Sequence, residues 1–241
     1  VPPALLRALD LLSDPPPIPD VSKGYLDLLG TEPVESSAVP KNTGAIQALW
    51  ASPIGSLLYD NTQALARRLF TAWQHPAEWL NIPPGGVALD VGSGPGNVTA
   101  TLAEAAAPNG LALGVDISEP MLARAVRNHG GPRTGFVRAD AQRLPLRSDT
   151  VDAVTSIAVL QLIPDPAATL TEIARVLHPG GRLALMIPTA GAAGPLFRLL
   201  PNTGARFFGD DEIADLLEEQ GFASVRTSKF GSIQWIRAKR G

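Results

Sequence analysis

Residues 88–97, Ala88-Leu89-Asp90-Val91-Gly92-Ser93-Gly94-Pro95-Gly96-Asn97, decide the fold: an apolar stretch runs straight into a glycine-rich turn, and helix-length sequence follows. Glycine lets the backbone turn sharply and lets a ligand approach main-chain N–H groups with no Cβ in the way. The order strand, tight turn, helix predicts a unit of a parallel sheet with a nucleotide-like ligand against the turn. The spacing is Gly-x-Gly-x-Gly, and Asn97 stands where a dinucleotide fingerprint places its third glycine, which counts against NAD and FAD.

Outward from this stretch, short apolar runs alternate with amphipathic segments, the pattern of βαβ units. Strands are expected at Val87 to Val91, Leu111 to Asp116, Gly135 to Asp140, Val151 to Ala158 and Arg182 to Pro188. The clearest helix runs from Pro166 to Leu177, where Leu170, Ile173, Ala174 and Leu177 repeat at helical spacing, and it stops at His178-Pro179-Gly180-Gly181. A last helix starts at Asp210-Asp211-Glu212 and ends at Gln220-Gly221, and two strands joined at Gly231-Ser232 close the sheet as an antiparallel hairpin. Before Pro83-Pro84-Gly85-Gly86 the texture is different. A short helical stretch at Leu5 to Leu12 leads into a proline-rich linker, and Gly24 to Leu80 reads as mainly helical, with starts at Ser22, Asn42 and Asp60. The expected division is an N-terminal helical extension over residues 1–84 and a core over 85–241.

Composition removes several classes of function. The charged fraction is 18% and the formal charge −3, so no general attraction to nucleic acid or anionic lipid follows. The C-terminal cluster Arg237, Lys239 and Arg240 is read as a solvated tail. With no cysteine, thiolate nucleophiles and Cys-ligated zinc are excluded, and His75, His129 and His178 are too widely spaced to form a helical ligand pair, so no metal is expected. Residues 1–20 lack the pattern of a signal peptide, and no apolar run approaches a membrane span, so a cytoplasmic protein without an integral membrane segment is expected. No signal for an oligomeric state stands out.

Two further strand ends carry chemistry. Asp116 lies 20 residues past Gly96, where a carboxylate can accept hydrogen bonds from both hydroxyls of a ribose. Arg138-Ala139-Asp140-Ala141 gives the next strand an edge that could read an adenine amino group. Each acid taken alone has a plainer alternative: Asp116 could cap the following helix, and Asp140 could close a turn. Both at successive strand ends favour the binding reading.

In order with Leu144-Pro145-Leu146, Thr150-Val151-Asp152-Ala153-Val154 and Leu177-His178-Pro179-Gly180-Gly181, these motifs resemble those of the class I S-adenosylmethionine-dependent methyltransferases. They are similar in particular to the ubiquinone and menaquinone biosynthesis methyltransferases. The resemblance covers Val87 to Leu185 and Asp210 to Phe222. It implies a Rossmann-like α/β fold with a seven-stranded, mostly parallel sheet. It also implies S-adenosylmethionine as cofactor, S-adenosylhomocysteine as product, and a cofactor site with Asp90, Gly92 and Gly94 around the methionine part, Asp116 at the ribose, and Asp140 with Ala141 at the adenine. Ser93, Asn97, Ile117, Met121 and Ile157 complete the expected cofactor set.

Two departures limit what carries over. The family often shows a His-His pair after the fourth strand; here the segment is Val159-Leu160-Gln161-Leu162-Ile163, and Gln161 can only donate or accept hydrogen bonds. The extension is also outside the resemblance. It holds Trp50, Tyr59, Trp73 and His75, and it is expected to cover the cofactor cleft and supply acceptor contacts, with Gln161 beside them. The alternative is that its aromatic residues simply pack its helices onto the sheet. Because the cofactor already carries an activated methyl group, orientation can account for much of the rate without a base; Gln161 and His75 are the candidates if one is used. Thr155-Ser156-Ile157-Ala158 departs from the Asn or Asp, Pro-Pro and aromatic pattern of nucleic-acid amino methyltransferases. The acceptor is therefore expected to be a small apolar molecule, methylated on oxygen or carbon. The rivals are a nicotinamide-dependent oxidoreductase, disfavoured by Asn97 and by the lack of a Tyr-x-x-x-Lys pair, and a non-catalytic protein on the same fold.

Overall fold

A computed structural model describes residues 1–30, 75–189, 206, 208–231 and 233–241. The alternating apolar runs form β2 (Val87–Val91), β3 (Leu111–Asp116), β4 (Thr134–Arg138), β5 (Val151–Ile157) and β6 (Leu177–Pro188). The hairpin is β7 (Phe222–Phe230) and β8 (Ile233–Arg240). An additional strand, β1 (Leu26–Asp27), raises the sheet from the expected seven strands to eight, in the order β1-β4-β3-β2-β5-β6-β8-β7. Strands β1 to β6 pair in parallel, and β8 and β7 follow antiparallel. The chain runs outward from β2 through β3 to β4 and then crosses back to β5 on β2's other side. That reversal opens a crevice at the carboxyl ends of the strands, where ligands bind in open α/β sheets.

The sheet's two faces differ in side-chain size. Leu89, Leu113, Val154, Leu183 and Leu185 fill one face, and Ala88, Ala112, Ala153 and Ala184 the other. The alanine face lets α2 (His75–Leu80) and α3 (Asn97–Ala105) approach closely, while α4 (Glu119–His129) buries Leu122 and Ala125 against Phe136. The leucine face takes α5 (Pro166–Val176) and α6 (Glu212–Glu219), through Leu170, Ile173, Ile213 and Leu217. It also takes α1 (Pro3–Leu9), whose Leu5 and Ala8 are buried in the same core, as is Leu12 beyond it. Burying each of those leucines contributes roughly 1.5–3 kcal/mol. Among the described residues no helix is long and apolar enough to cross a membrane.

The stretch from Gly24 to Gly30 is not helical as expected. The Asp20 carboxylate accepts both the Ser22 N–H at 3.0 Å and the Ser22 hydroxyl at 2.7 Å, closing a local turn in place of a helix cap. Gly24 then takes φ +81, which no helix continues. The expected starts at Asn42 and Asp60 lie outside the described residues. Helix α5 begins as expected, with Asp165 accepting from the Ala168 N–H at 3.0 Å. It stops at Val176, and β6 starts at once at Leu177, five residues before the expected strand. The cause is a bulge: Val151 pairs with Leu177 but Ala153 with Arg182, with Gly180 at φ +81 between them.

Candidate cofactor site

The glycine turn is held by its own backbone and by β3. Gly92 and Ser93 donate their N–H groups to the Val115 carbonyl at 2.8 and 3.0 Å. Gly92, Gly94 and Gly96 all take positive φ, at 76, 50 and 85. At Gly92 a Cβ would also lie 2.2 Å from Val159, so the turn and the segment after β5 close on each other only because that side chain is absent.

Beneath the turn, Asp90 is buried at 2% exposure, and the Thr99 hydroxyl donates to its carboxylate at 2.6 Å. Burial pushes the Asp90 carboxyl up to about 7; the Thr99 hydrogen bond opposes this, and the nearby Asp116 charge adds to it. Thr99 is a site residue the sequence reading missed. Its signal was its place on the inward face of the helix that the glycine turn opens.

Asp116 sits at the end of β3, next along the crevice. One carboxylate oxygen accepts from the Gly94 N–H at 2.8 Å and the other from the Ser118 N–H at 2.8 Å. Desolvation raises this carboxyl, and the Ser118, Gly94 and Ile117 N–H groups hold it down. Asp116 therefore does close the turn onto its helix, and it also bridges that turn to the glycine turn. Asp140 accepts from the Gln142 N–H at 2.9 Å, so its plainer role as a turn closer is also present. Ile117, 45% exposed, projects an apolar side chain beside the Asp116 turn. Ala141 packs on the main core, Met121 is buried in the first turn of α4, and Ile157 ends β5 opposite Met186. The Asn97 side-chain oxygen lies 2.9 Å from His129 Nε2, joining the start of α3 to the end of α4.

Past β5, Gln161 lies in a single turn of 3-10 helix, Leu160–Leu162. It is 9% exposed, and its side-chain carbonyl has no hydrogen-bond partner. The hydroxyls of Ser93, Ser118 and Ser156 are buried without partners as well. Buried polar groups are normally satisfied, and three of these four follow the ends of β2, β3 and β5, while Ser156 is the next-to-last residue of β5. His75 heads α2, and its side chain, like Trp50, Tyr59 and Trp73, lies outside what is described. No group of three or more acidic or histidine side chains among the described residues is placed to hold a metal.

Residues 89–185 match the methyltransferase domain family. A demethylmenaquinone methyltransferase from Roseiflexus castenholzii is 31% identical over 179 residues, which cover 64% of this chain and 75% of that one. The chain belongs to the class I S-adenosylmethionine-dependent methyltransferases. An uncharacterized 37.1 kDa protein in transposon TN4556 of Streptomyces fradiae is 41% identical over 110 residues, 45% of this methyltransferase, which spans only 32% of that longer protein. In fold, the methyltransferase is similar to a possible histamine N-methyltransferase from Thermotoga maritima, with TM-score 0.64 at 20% identity, over 81% of this chain and 100% of that one. The residues present fit S-adenosylmethionine: a turn whose glycines put no Cβ between its backbone and a ligand, a carboxylate at the next strand end, and unpartnered buried hydroxyls on Ser93 and Ser118 between them.

Proposed function

We propose that this methyltransferase passes the methyl group to oxygen or carbon of a small apolar acceptor, in a cleft at the carboxyl ends of β2 to β5. The observation that carries the reading is the convergence of the glycine turn, Asp90 and Asp116 at the reversal of strand order, with the unpartnered Gln161 side-chain carbonyl two residues beyond the Val159 that packs on Gly92. When bound, S-adenosylmethionine supplies an activated methyl on a sulfonium and leaves as a neutral thioether. The chain's work is orientation and exclusion of water. Gly92, Ser93 and Gly94 with Asp90 hold the methionine part, Asp116 accepts from the ribose hydroxyls, and Ile117, Asp140 and Ala141 flank the adenine. Gln161 offers a hydrogen bond to one polar group of an otherwise apolar acceptor, which positions that group without removing its proton. Trp50, Tyr59, Trp73 and His75 are assigned to the acceptor side. What favours a place for the extension over the cleft is β1, which runs parallel to β4 and brings the chain at Gly30 to the carboxyl ends of the strands. The Roseiflexus relative is named for demethylmenaquinone, which agrees with a small acceptor.

Calorimetric titration with S-adenosylmethionine, S-adenosylhomocysteine and NAD tests the cofactor half. Micromolar binding of the first two is expected, weakened roughly tenfold to a hundredfold by Asp116→Ala through loss of hydrogen bonds to a charged acceptor. Binding of NAD alone would overturn the reading. An acceptor screen on the loaded enzyme then tests the rest.

A further inference from the structure

Strand β1 ends at Asp27, which pairs in register with Arg138, the last residue of β4. The Arg138 guanidinium reaches two separate pieces of chain, residues 27–30 and 117–119. Its Nη1 lies 3.1 and 3.3 Å from the two Asp27 carboxylate oxygens and donates to the Gly30 carbonyl at 2.9 Å. Its Nε donates to the Ile117 carbonyl at 3.3 Å, and its Nη1 lies 3.3 Å from the Glu119 carboxylate. Glu119 in turn accepts from Lys23 Nζ at 2.5 Å and from the Tyr25 hydroxyl at 3.2 Å. The Arg138 and Asp27 side chains are only 17% and 5% exposed, so this is not the solvated kind of ion pair that contributes little.

The placement matters because Arg138 stands between two turns. Ile117 to Glu119 follows Asp116, and Ala139 to Ala141 follows Arg138 itself. A guanidinium presents its donors in a fixed plane, so one side chain can set the spacing of both turns where an ammonium can satisfy only one direction at a time. Turns held in place before the ligand arrives are not ordered at the expense of binding.

We infer that Arg138 is a positioning residue for the cofactor, and that residues 23–30, by holding Arg138 through Asp27 and Gly30, sustain cofactor affinity without touching the cofactor. The inference rests on the reading of the Asp116 and Asp140 turns as the adenosine site. It makes the N-terminal strand a working part of the cofactor site.

Arg138→Ala would leave Asp27 buried and unpaired and could unfold the chain, so two gentler variants carry the test. Arg138→Lys keeps the charge pair with Asp27 but cannot also span to Ile117 and Gly30. The double variant Asp27→Asn/Arg138→Gln leaves no buried charge unpaired. Melting curves of the unliganded proteins and calorimetric titration with S-adenosylhomocysteine are measured together, the titrations at a temperature where every variant is fully folded. The expected result is a split: Arg138→Lys melts close to wild type, yet both variants bind S-adenosylhomocysteine roughly tenfold or more weakly, the scale of a small misplacement of binding groups. A merely structural role would lower the melting temperature and leave the affinity of the folded protein at the wild-type value, and that outcome overturns the inference. Wild-type protein that fails to bind S-adenosylhomocysteine would instead overturn the cofactor reading beneath it.

Discussion

Replacing Asp90 by Asn should remove a cost that the unliganded protein carries at neutral and alkaline pH. In the folded chain the carboxyl is raised from its ordinary 3.8 to about 7 by burial. The folded state therefore holds a proton that the unfolded chain releases as pH rises through the interval between these values. Stability from this group is complete below the unfolded value and is lost as pH rises, the loss levelling off above about pH 7. At 1.36 kcal/mol for each tenfold, the full loss is about 4 kcal/mol, of which roughly 2 to 3 kcal/mol falls between pH 5 and pH 8. Asn keeps the shape and an acceptor for the Thr99 hydroxyl but has no proton to release. Urea denaturation of wild type and Asp90→Asn, across that range and without cofactor, should give two curves that separate with rising pH, the variant becoming the more stable by about that amount. Parallel curves would refute the argument, because they would mean that Asp90 is as well solvated in the folded state as in the unfolded one.

The remaining predictions concern packing and the acceptor side. Leu5→Ala should cost about 2–5 kcal/mol in a denaturation experiment, as for any fully buried core leucine; a cost below about 1 kcal/mol would show that α1 is not part of the core. Gly96→Ala should be destabilising by roughly 1–3 kcal/mol, because φ is +85 and the new Cβ would lie 2.7 Å from Phe136, and Phe136→Leu should recover only the part due to crowding. Gln161→Leu removes an unpartnered buried carbonyl and should stabilise the protein by about 1–3 kcal/mol, while acceptor KM rises several-fold and S-adenosylhomocysteine affinity stays unchanged.

The glycine turn, the strands on either side of it and Asp116 could be read from sequence because each is a local signal: a strand pattern of adequate length, a spacing of glycines, an acid where an apolar run stops. What could not be read depends on long-range pairing. β1 has two residues, too few for any periodicity, and Asp27 becomes a strand residue only because Arg138, 111 positions away, offers a partner. The bulge at Gly180 was hidden for a related reason: His178-Pro179-Gly180-Gly181 is a sound helix stop, but whether the next residues pair is decided by β5. The contact between Asn97 and His129 is hidden in the same way, because the two residues stand on different helices 32 positions apart. The clearest case is the basic tail. Arg237 stacks over Trp79 at 5.8 Å, with Arg182 5.5 Å from the same ring, and Arg240 donates to the Ala174 carbonyl at 2.9 Å, so neither arginine of the cluster is merely solvated.

The docking of α1 bears on how the chain acquires its structure during synthesis. Arg7 donates to the Gly110 carbonyl, and Gly135 lies so close to Leu5 that a Cβ there would meet it at 3.2 Å. Leu5, Ala8 and Leu12 thus leave the ribosome long before β4, and their packing is incomplete until that strand has followed them out. At ordinary rates of elongation that interval is on the order of ten seconds. Through it this apolar segment stays unburied, closing a loop of more than a hundred residues only at its end. The N-terminal helix is therefore a late arrival at a core that β2 and β3 have begun without it, and its arrival seals the large-residue face of the sheet.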